Sequence, residues 1–160
     1  MFYLELNKDR FKFSAAHFTI LSPTQAERLH GHNYYLSLKF GFSEIAKNLA
    51  LAVDMNLLKD FVQKICDKLD ERVLVAEKSP YLNLYKDHDS LEIKFQEKVY
   101  HLPLGDVLLL PLLNISCEAL AEYLAHELKS AISGTIPFKS LELRLSETRA
   151  QAAVYCIQSA

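Results

Sequence analysis

Alternation of apolar and polar residues marks one long strand in the first third of the chain. In the segment NYYLSLKFGF, the apolar positions of a two-residue repeat are Leu36, Leu38, Phe40 and Phe42, and the intervening positions are Tyr35, Ser37 and Lys39. Such a repeat predicts a strand with one face in the core and the other in solvent. The preceding segment FYLELNKDRFKFSAAHF is predicted to be rich in strand as well.

Two later segments repeat apolar residues every three or four positions, which is typical of amphipathic helices. The first runs from Asn56 to Leu69, with apolar residues at Leu57, Leu58, Phe61, Val62, Ile65 and Leu69. The second is predicted to begin near Ser116, because serine is a favourable N-cap and Glu118 would lie near the positive end of the helix dipole. Its inward positions are Leu120, Leu124, Leu128 and Ile132.

Short apolar segments complete the predicted sheet. LEIKF and VYHLP flank the short QEK and predict a hairpin, while LELRLSET and AAVYCI predict two more strands near the end of the chain. Residues 76–98 are predicted to be an irregular insert with no structure beyond this hairpin. Strands that pair as neighbours, together with two helices, predict an α+β fold in which the helices pack on one face of an antiparallel sheet.

Length and charge narrow the class of protein. The chain has 160 residues, half of them hydrophobic, which is enough for one sizeable core and predicts a single domain over residues 1–160. Lysine and arginine number 18 against 20 acidic residues, and no basic residues cluster with aromatic ones. Nucleic acid is therefore not expected as a partner.

Membrane segments and disulfides are not expected either. The longest apolar stretch, VLLLPLLNI, is short and is interrupted by Pro111, and no signal peptide is recognisable. The three cysteines are Cys66, Cys117 and Cys156, widely spaced and without a CxxC pair. This pattern argues against a disulfide framework and against a cysteine zinc site, and it favours a reducing cytoplasm.

Two histidines stand one residue apart in TQAERLHGHNY, just before the alternating strand. If His30 and His32 are extended, both imidazoles project from one face and can share a cation. Catalytic zinc sites typically use three protein ligands, and His17 on the preceding predicted strand is the best placed third one. On spacing alone, the alternative is that they are ordinary surface or hydrogen-bonded histidines.

The order of several motifs resembles a known family. FSAAH, LHGHNY, VDMNLLKDFV, LDERVL, LPLLNISCEALAEYL and LSETRAQAAVY together resemble the 6-pyruvoyl tetrahydropterin synthases and the 6-carboxy-tetrahydropterin synthases of queuosine biosynthesis. The resemblance implies zinc on His17, His30 and His32 and a pterin as the small-molecule substrate. It also implies the tunnelling fold, in which the sheets of several subunits join into a barrel, and hence a homo-oligomer, either a trimer or a hexamer.

The resemblance further implies that Glu147 anchors the pterin ring by accepting hydrogen bonds from its amino and amide N–H groups. In the predicted strand, Leu141, Leu143, Leu145 and Glu147 occupy alternate positions and therefore lie on one face. The Glu147 carboxylate would then continue an apolar face, where burial of a charge without a partner is costly. Alternatively, the strand frays at Ser146 and Glu147 is solvated. The other substrate-binding positions that the resemblance implies are Thr148, Ser116 and Glu118.

Two family residues are absent from this chain. The resemblance implies a catalytic cysteine four residues before the first histidine of HGH, where this chain has Ala26. It also implies a catalytic Asp-His pair, which falls on Asp70 and Glu71, so that only the aspartate is kept. Asp70 and Glu71 are therefore candidate catalytic residues, or they do no more than end the first helix.

Glu27, in the pattern ExxHGH, is the remaining candidate for the catalytic base. This pattern resembles a branch of the family in which glutamate acts where cysteine would, and the reaction is a retro-aldol cleavage of the dihydroneopterin side chain to 6-hydroxymethyl-dihydropterin. The alternative role of Glu27 is a surface carboxylate paired with Arg28 or another charge. Three hypotheses follow: a zinc-dependent lyase acting on dihydroneopterin or its triphosphate, a 6-pyruvoyl or 6-carboxy-tetrahydropterin synthase, and an inactive pterin-binding homologue.

Overall fold

Eleven strands and two helices make up the part of the chain that the structure describes. The structure is a computed structural model, and it describes residues 1–148 and 150–158. The strands are β1 (Phe2–His17), β2 (Ile20–Ser22), β3 (Gln25–Ala26), β4 (His30–Phe42), β5 (Arg72–Ala76), β6 (Asn83–Asp87), β7 (Ser90–Phe95), β8 (Lys98–Pro103), β9 (Val107–Leu110), β10 (Ser140–Ser146) and β11 (Ala152–Gln158). The helices are α1 (Met55–Leu69) and α2 (Cys117–Ile132), and Leu104–Asp106 forms a short 3₁₀ turn.

The main sheet has six strands in the order β11-β10-β4-β1-β5-β9. The first four pair antiparallel, which confirms the predicted strands and their orientation. However, β5 pairs parallel with β1, and β9 pairs parallel with β5. The expectation of a wholly antiparallel sheet is therefore wrong at this edge, and the sheet is mixed.

Both helices lie on the face of the sheet that carries the predicted apolar stripe. Leu36, Leu38 and Phe40 of β4 form one core with the buried residues of α1 and α2. That core includes Leu58, Val62, Cys66 and Leu69 of α1, together with Leu120, Leu124, Leu128 and Ile132 of α2. The predicted helices are confirmed, and α1 begins one residue before Asn56.

Side-chain caps explain where the helices begin. The Oδ1 atom of Asp54 accepts a hydrogen bond of 2.8 Å from the backbone N–H of Asn56. The hydroxyl of Ser116 accepts one of 3.2 Å from the backbone N–H of Ala119, as expected for an N-cap serine. Ser116 thereby fixes the first turn of α2 beside the cleft described below.

The predicted insert contains a three-stranded antiparallel sheet in the order β6-β7-β8. The predicted hairpin is confirmed, since Phe95 of β7 pairs with Lys98 of β8, but the expectation of an otherwise irregular segment is wrong because β6 adds a third strand. A second core lies between this sheet and β5, β9 and β2. Its buried residues are Phe18, Ile20, Val75, Leu91, Ile93 and Phe95.

Within residues 1–148 and 150–158, neither helix combines the length and the apolar content needed to cross a membrane.

Candidate active site

Strand register brings the three predicted histidines together. His17, the last residue of β1, pairs with His30, the first residue of β4, and Ala15 pairs with His32. The ring centroid of His30 lies 4.7 Å from that of His17 and 4.7 Å from that of His32, and the remaining pair is 5.4 Å apart. One ring nitrogen from each histidine lies within 4.8 Å of the other two.

Two backbone carbonyls orient these rings. The Nδ1 atom of His17 lies 3.1 Å from the carbonyl oxygen of Ile115, and the Nδ1 atom of His30 lies 2.7 Å from the carbonyl oxygen of Arg28. Because a carbonyl only accepts hydrogen bonds, each Nδ1 carries the proton and each Nε2 keeps its lone pair. Contacts of this kind fix the tautomer of histidines that bind metal ions.

The Glu147 carboxylate joins the histidine cluster. Its Oε1 atom lies 3.4 Å from Nε2 of His17 and 3.5 Å from Nε2 of His32, and its side chain is 17% exposed. Burial lowers the pKa of His17 and thus opposes protonation of that ring. Lone pairs that converge in this way repel one another unless a cation lies among them. The donor set, three imidazoles with a carboxylate beside them, therefore fits zinc.

A buried tyrosine links the two sides of this cluster. The hydroxyl of Tyr34 lies 3.0 Å from Nε2 of His17 and donates a hydrogen bond of 2.9 Å to Oε1 of Glu147. The Tyr34 side chain has no exposed surface. Burial, followed by the nearby charge of Glu147, raises the pKa of Tyr34, so the hydroxyl stays protonated and able to donate.

Thr19 holds Glu27 beside the histidines. The backbone N–H of Glu27 donates to the carbonyl of Thr19 at 2.9 Å, and the backbone N–H of Thr19 donates to Oε2 of Glu27 at 3.2 Å. The same Oε2 atom lies 4.0 Å from Nε2 of His30. Burial alone would raise the pKa of Glu27, but the hydrogen bonds from Thr19 outweigh it and lower the pKa.

A cleft of about 1030 Å³ gives access to the cluster from solvent. Among its lining residues are six of the predicted site residues, namely Glu27, His30, His32, Ser116, Glu118 and Glu147. His17 lies behind them with only 1% of its surface exposed. Ala26 packs as a partly buried apolar residue against the second core, although its neighbour Glu27 lines the cleft.

The other predicted residues make different contacts. The Thr148 hydroxyl accepts hydrogen bonds from the backbone N–H groups of Ala150 (3.2 Å) and Gln151 (3.1 Å), so it closes the turn between β10 and β11. Asp70 is the C-cap residue of α1, and its Oδ1 atom accepts a hydrogen bond of 2.7 Å from the backbone N–H of Ser14.

Glu71 occupies a strained backbone position next to a second cavity. Its φ of 56° lies in the left-handed region, and its backbone N–H donates to the carbonyl of Ser14 at 2.7 Å. The side chain lines a cavity of about 430 Å³, which His32 also lines. In this chain, Asp70 and Glu71 thus join the end of α1 to β1, and they remain predicted catalytic residues.

Sequence reasoning missed Tyr34 and Thr19. A signal for Tyr34 was present, because it has the same strand parity as His30 and His32 and so continues their face. Thr19 carried no such signal, since it acts on Glu27 through its backbone N–H, and every residue except proline has that group.

Three converging histidines beside carboxylates in an open cleft are typical of a catalytic metal site. The chain belongs to the 6-pyruvoyl tetrahydropterin synthase family, whose model matches residues 5–157. A relative from Methanocaldococcus jannaschii, described as "Putative 6-carboxy-5,6,7,8-tetrahydropterin synthase", is 31% identical over 156 residues, which are 95% of this chain and 94% of that protein.

Solved structures agree with this family membership. The crystal structure of 6-pyruvoyl tetrahydropterin synthase from Plasmodium vivax matches with a TM-score of 0.91 and 27% identity, covering 99% of this chain and 98% of that one. Two variants of the P. vivax enzyme, in which a catalytic glutamate is replaced by alanine or by cysteine, match with the same TM-score of 0.91 and the same 27% identity. The family of this chain is therefore the one that its motifs predicted, and its α+β fold with two helices on a mixed sheet is shared with these solved structures.

Proposed function

We propose that this chain is a zinc-dependent lyase that cleaves the side chain of dihydroneopterin, or of its triphosphate, by a retro-aldol reaction that gives 6-hydroxymethyl-dihydropterin. The observation that carries the proposal is the position of Glu27. Its carboxylate lines the same cleft as His30, His32 and Glu147, and its Oε2 atom lies 4.0 Å from Nε2 of His30. The chain has no cysteine at the preceding position, where it has Ala26.

His17, His30 and His32 would hold the zinc ion. Their Nε2 atoms are left free by the carbonyls that fix the Nδ1 atoms of His17 and His30. When bound, the ion supplies a positive charge that lowers the pKa of the substrate hydroxyl groups.

Glu27 would act as the base. Because its pKa is lowered, it is ionised at neutral pH and can accept a proton. It takes the proton from the hydroxyl on the second side-chain carbon. That oxygen forms the carbonyl of the departing aldehyde, the bond between the first and second carbons breaks, and its electrons move into the C=N bond of the pterin ring. The proton then returns to the first carbon, which gives the hydroxymethyl group.

A carboxylate suits this reaction better than it suits a synthase. Retro-aldol cleavage removes a proton from oxygen, whereas the synthases move protons between carbon atoms, which needs a stronger base. A catalytic glutamate has a parallel in the family, in the P. vivax enzyme named 6-pyruvoyltetrahydropterin synthase, which supports a catalytic role for Glu27 without choosing between the two reactions.

Glu147 would hold the pterin ring, with Ser116 and Glu118 as further binding residues. Glu147 follows Ser146, the last residue of β10, and lines the cleft, as do Ser116, the N-cap of α2, and Glu118 in its first turn. Carboxylate oxygens accept the paired N–H groups that a pterin presents. Thr148 would contribute indirectly, by closing the turn that follows Glu147.

A synthase is the second candidate, because the relative from M. jannaschii is described as a 6-carboxy-tetrahydropterin synthase. The thiol that lines the cleft is Cys117. However, burial raises the pKa of Cys117, and its Sγ atom lies 3.4 Å from the carbonyl oxygen of Leu145, to which it donates. A thiol in this state is poorly ionised and a weak base or nucleophile, so Glu27 is the better candidate.

We also propose that the chain forms a homo-oligomer in which the main sheets join. The strand β11 ends the main sheet, and Val154 on this strand is 48% exposed. An edge strand of this kind can pair with a strand of a second copy. Sedimentation velocity would show a trimer or hexamer if the proposal is right and a monomer if it is wrong.

Product identification tests the proposed reaction. The purified protein, with its zinc content measured, is incubated with dihydroneopterin and separately with its triphosphate, and the products are identified by mass. We expect 6-hydroxymethyl-dihydropterin together with a two-carbon aldehyde, which is glycolaldehyde from dihydroneopterin and its triphosphate ester from the triphosphate. A pyruvoyl or carboxy pterin would favour the synthase instead. Pterin binding without any product would favour an inactive binding protein.

A further inference from the structure

We propose that Lys98 positions Glu27 by fixing the backbone of the Glu27 ribbon, which is the segment 19–27 with the strands β2 and β3. Lys98 is the first residue of β8, so the small sheet β6-β7-β8 sets the place of the Glu27 carboxylate beside the histidines. The inference deepens the proposed function, since it rests on Glu27 as the base. Lys98 is a positioning residue in this proposal, because it acts through Glu27.

The Glu27 ribbon has little internal support. Its strands β2 and β3 form a separate two-stranded sheet. The paired residues are Ile20 with Ala26 and Ser22 with Gln25, with an irregular register between the two pairs. A two-stranded sheet of this kind is marginally stable by itself in water. The position of the ribbon therefore depends on contacts with the rest of the molecule.

The first half of the ribbon is held by the segment before α2. The side-chain amide of Asn114 bonds both backbone groups of Ile20, since its Oδ1 atom accepts from the N–H at 3.0 Å and its Nδ2 atom donates to the carbonyl at 2.9 Å. The hydroxyl of Thr19 donates to the carbonyl of Ile115 at 3.0 Å, and the same carbonyl lies 3.1 Å from Nδ1 of His17. This half of the ribbon is thus fixed relative to the histidine cluster.

The second half of the ribbon is held by the hairpin of β7 and β8. The ammonium group of Lys98 donates to the carbonyl of Ala26 at 3.0 Å and to the carbonyl of Glu27 at 3.3 Å. At the tip of the ribbon, the Nε2 atom of Gln96 donates to the carbonyl of Pro23 at 2.9 Å. A charged donor bonds a carbonyl more strongly than a neutral donor does. Lys98 therefore makes the stronger of these two attachments, and it makes it at the residue that carries the carboxylate.

The small sheet that carries Lys98 is itself attached next to the histidine cluster. The ring of Tyr100 in β8 stacks on that of Phe18, with centroids 5.5 Å apart and planes at 25°. Phe18 is buried in the second core and directly follows His17 in the chain. The ammonium group of Lys98, two residues before Tyr100, thus extends from a close-packed support whose place relative to the cluster is fixed.

A displacement of Glu27 slows proton transfer more than it weakens binding. The carboxylate must lie within hydrogen-bond reach of the substrate hydroxyl, and a misplacement of about 1 Å can lower the rate by about 100-fold. The backbone N–H of Thr19 holds Oε2 of Glu27 only while the two halves of the ribbon keep their spacing. Without Lys98 the second half loses its charged attachment, so the carboxylate spends less time in the productive position.

Amide hydrogen exchange of the zinc-loaded protein, followed by NMR, tests the attachment without any turnover. The backbone N–H of Glu27 donates to the carbonyl of Thr19 at 2.9 Å, so its exchange rate reports how firmly the two halves of the ribbon stay paired. Lys98→Met keeps a side chain of similar length and removes the donors. We expect the Glu27 amide to exchange about fivefold faster in this variant, and Lys98→Arg, which keeps charged donors, to stay within about twofold of wild type.

Lys94→Met is the matched control for the loss of a positive charge from the small sheet. Lys94 lies between Ile93 and Phe95 of β7, which are both buried in the second core. Since side chains alternate along a strand, Lys94 points to the opposite, exposed face. The exchange rate of the Glu27 amide and the kcat should both equal those of the wild type.

Steady-state kinetics with dihydroneopterin test whether the attachment positions the base. We expect kcat of Lys98→Met to fall about tenfold, with KM and zinc content within about twofold of wild type, and kcat of Lys98→Arg to return close to wild type. In the Glu27→Gln background, Lys98→Met should change the residual kcat by less than about twofold, because the carboxylate that Lys98 positions is gone.

The two measurements fail in different ways. Unchanged exchange of the Glu27 amide in Lys98→Met would overturn the attachment, whichever reaction the protein catalyses. Faster exchange with wild-type kcat, a rise in KM in place of the fall in kcat, or additive losses in the double variant would show that Lys98 does not act by positioning Glu27. Full turnover in Glu27→Gln alone would instead exclude Glu27 as the base, so the proposed function would fail together with the inference that rests on it.

Discussion

His17 and His30 lie directly opposite each other where β1 ends and β4 begins, with ring centroids 4.7 Å apart. This relationship joins two segments of sequence that are thirteen positions apart. Because His32 is two residues along β4, it points to the same face as His30. The antiparallel register of one strand pair is therefore enough to assemble the histidine cluster.

Removal of one histidine should lower metal affinity. His32→Ala removes one of the three proposed ligand nitrogens, and we expect the zinc affinity to fall by at least about tenfold. Even the loss of a residue that only hydrogen-bonds to a metal ligand commonly lowers metal affinity about tenfold. Zinc per chain is measured by mass spectrometry after dialysis against a chelator. His88→Ala is the control, since His88 is exposed in the turn after β6. Equal zinc in both variants would contradict the proposed ligand set.

Glu27→Gln should abolish turnover without affecting binding. The amide keeps the size and an acceptor oxygen for the Thr19 N–H but cannot accept a proton from substrate. We expect kcat to fall by about 100-fold or more, whereas zinc content and the Kd for pterin stay close to wild type. Steady-state kinetics and fluorescence titration measure these quantities.

The matched control for Glu27→Gln is Glu44→Gln. Glu44 is exposed in the loop after β4 and does not line the cleft. Its kcat should equal that of the wild type. A fully active Glu27→Gln would exclude Glu27 as the base, and Glu118 would then be the next carboxylate of the cleft to test.

The antiparallel part of the fold could be predicted because its strands are buried on one face. Leu36, Leu38 and Phe40 face the helices and alternate with polar residues, which leaves a clear two-residue repeat. In β5 and β9 this repeat is absent. Leu74 faces the main core and Val75 the second core, so both faces are apolar. Strands that are buried on both sides have continuous apolar runs in the sequence, so the two-residue repeat predicts neither β5 and β9 nor their parallel orientation.

The candidate site also has a part that the sequence predicts and a part that it does not. His17, His30, His32 and Glu147 could be predicted from residue type, strand parity and motif order. The contacts that orient them could not, because they use backbone atoms. The carbonyl of Ile115 lies 98 positions from His17 in sequence, yet the two groups are 3.1 Å apart. Any residue could supply that carbonyl, so the sequence carries no mark of it.

Asp70 should contribute to stability through its contact with β1. Its Oδ1 atom accepts a hydrogen bond of 2.7 Å from the backbone N–H of Ser14. Asp70→Ala removes the acceptor, and we expect the free energy of unfolding to fall by about 1–2 kcal/mol. Asp70→Asn keeps an acceptor oxygen and should cost less. Urea unfolding of the two variants measures both effects.

The variants Asp70→Ala and Asp70→Asn also distinguish a structural role of Asp70 from a catalytic one. If Asp70 is only structural, Asp70→Asn keeps wild-type kcat at temperatures where it is folded. If Asp70 is catalytic, as the family resemblance implies, Asp70→Asn loses kcat while its stability is close to that of wild type, because an amide cannot replace an ionised carboxylate in proton transfer.

The metal-free protein should lose stability as the pH falls. Burial lowers the pKa of His17 in the folded state, so between that value and the ordinary value of about 6.5 the unfolded chain binds more protons. The stabilisation is complete above about pH 6.5 and is lost progressively below it. Thermal unfolding of chelator-treated protein from about pH 8 to about pH 5 measures the decrease in Tm.

Two variants test that His17 is responsible. His17→Gln cannot take up a proton and should make the decrease in Tm below about pH 6.5 smaller. His88→Gln should leave the decrease unchanged, because the ring of His88 is exposed. If Tm falls equally steeply with pH in His17→Gln, titratable groups other than His17 cause the loss of stability.

The mass of the pterin product formed in D2O tests the central claim most directly. If Glu27 takes a hydroxyl proton and the first side-chain carbon is protonated after the bond breaks, zinc-loaded protein will convert dihydroneopterin to 6-hydroxymethyl-dihydropterin with one carbon-bound deuterium in its hydroxymethyl group. A product that keeps the side-chain carbons, or a hydroxymethyl product without that deuterium, would contradict the proposed cleavage.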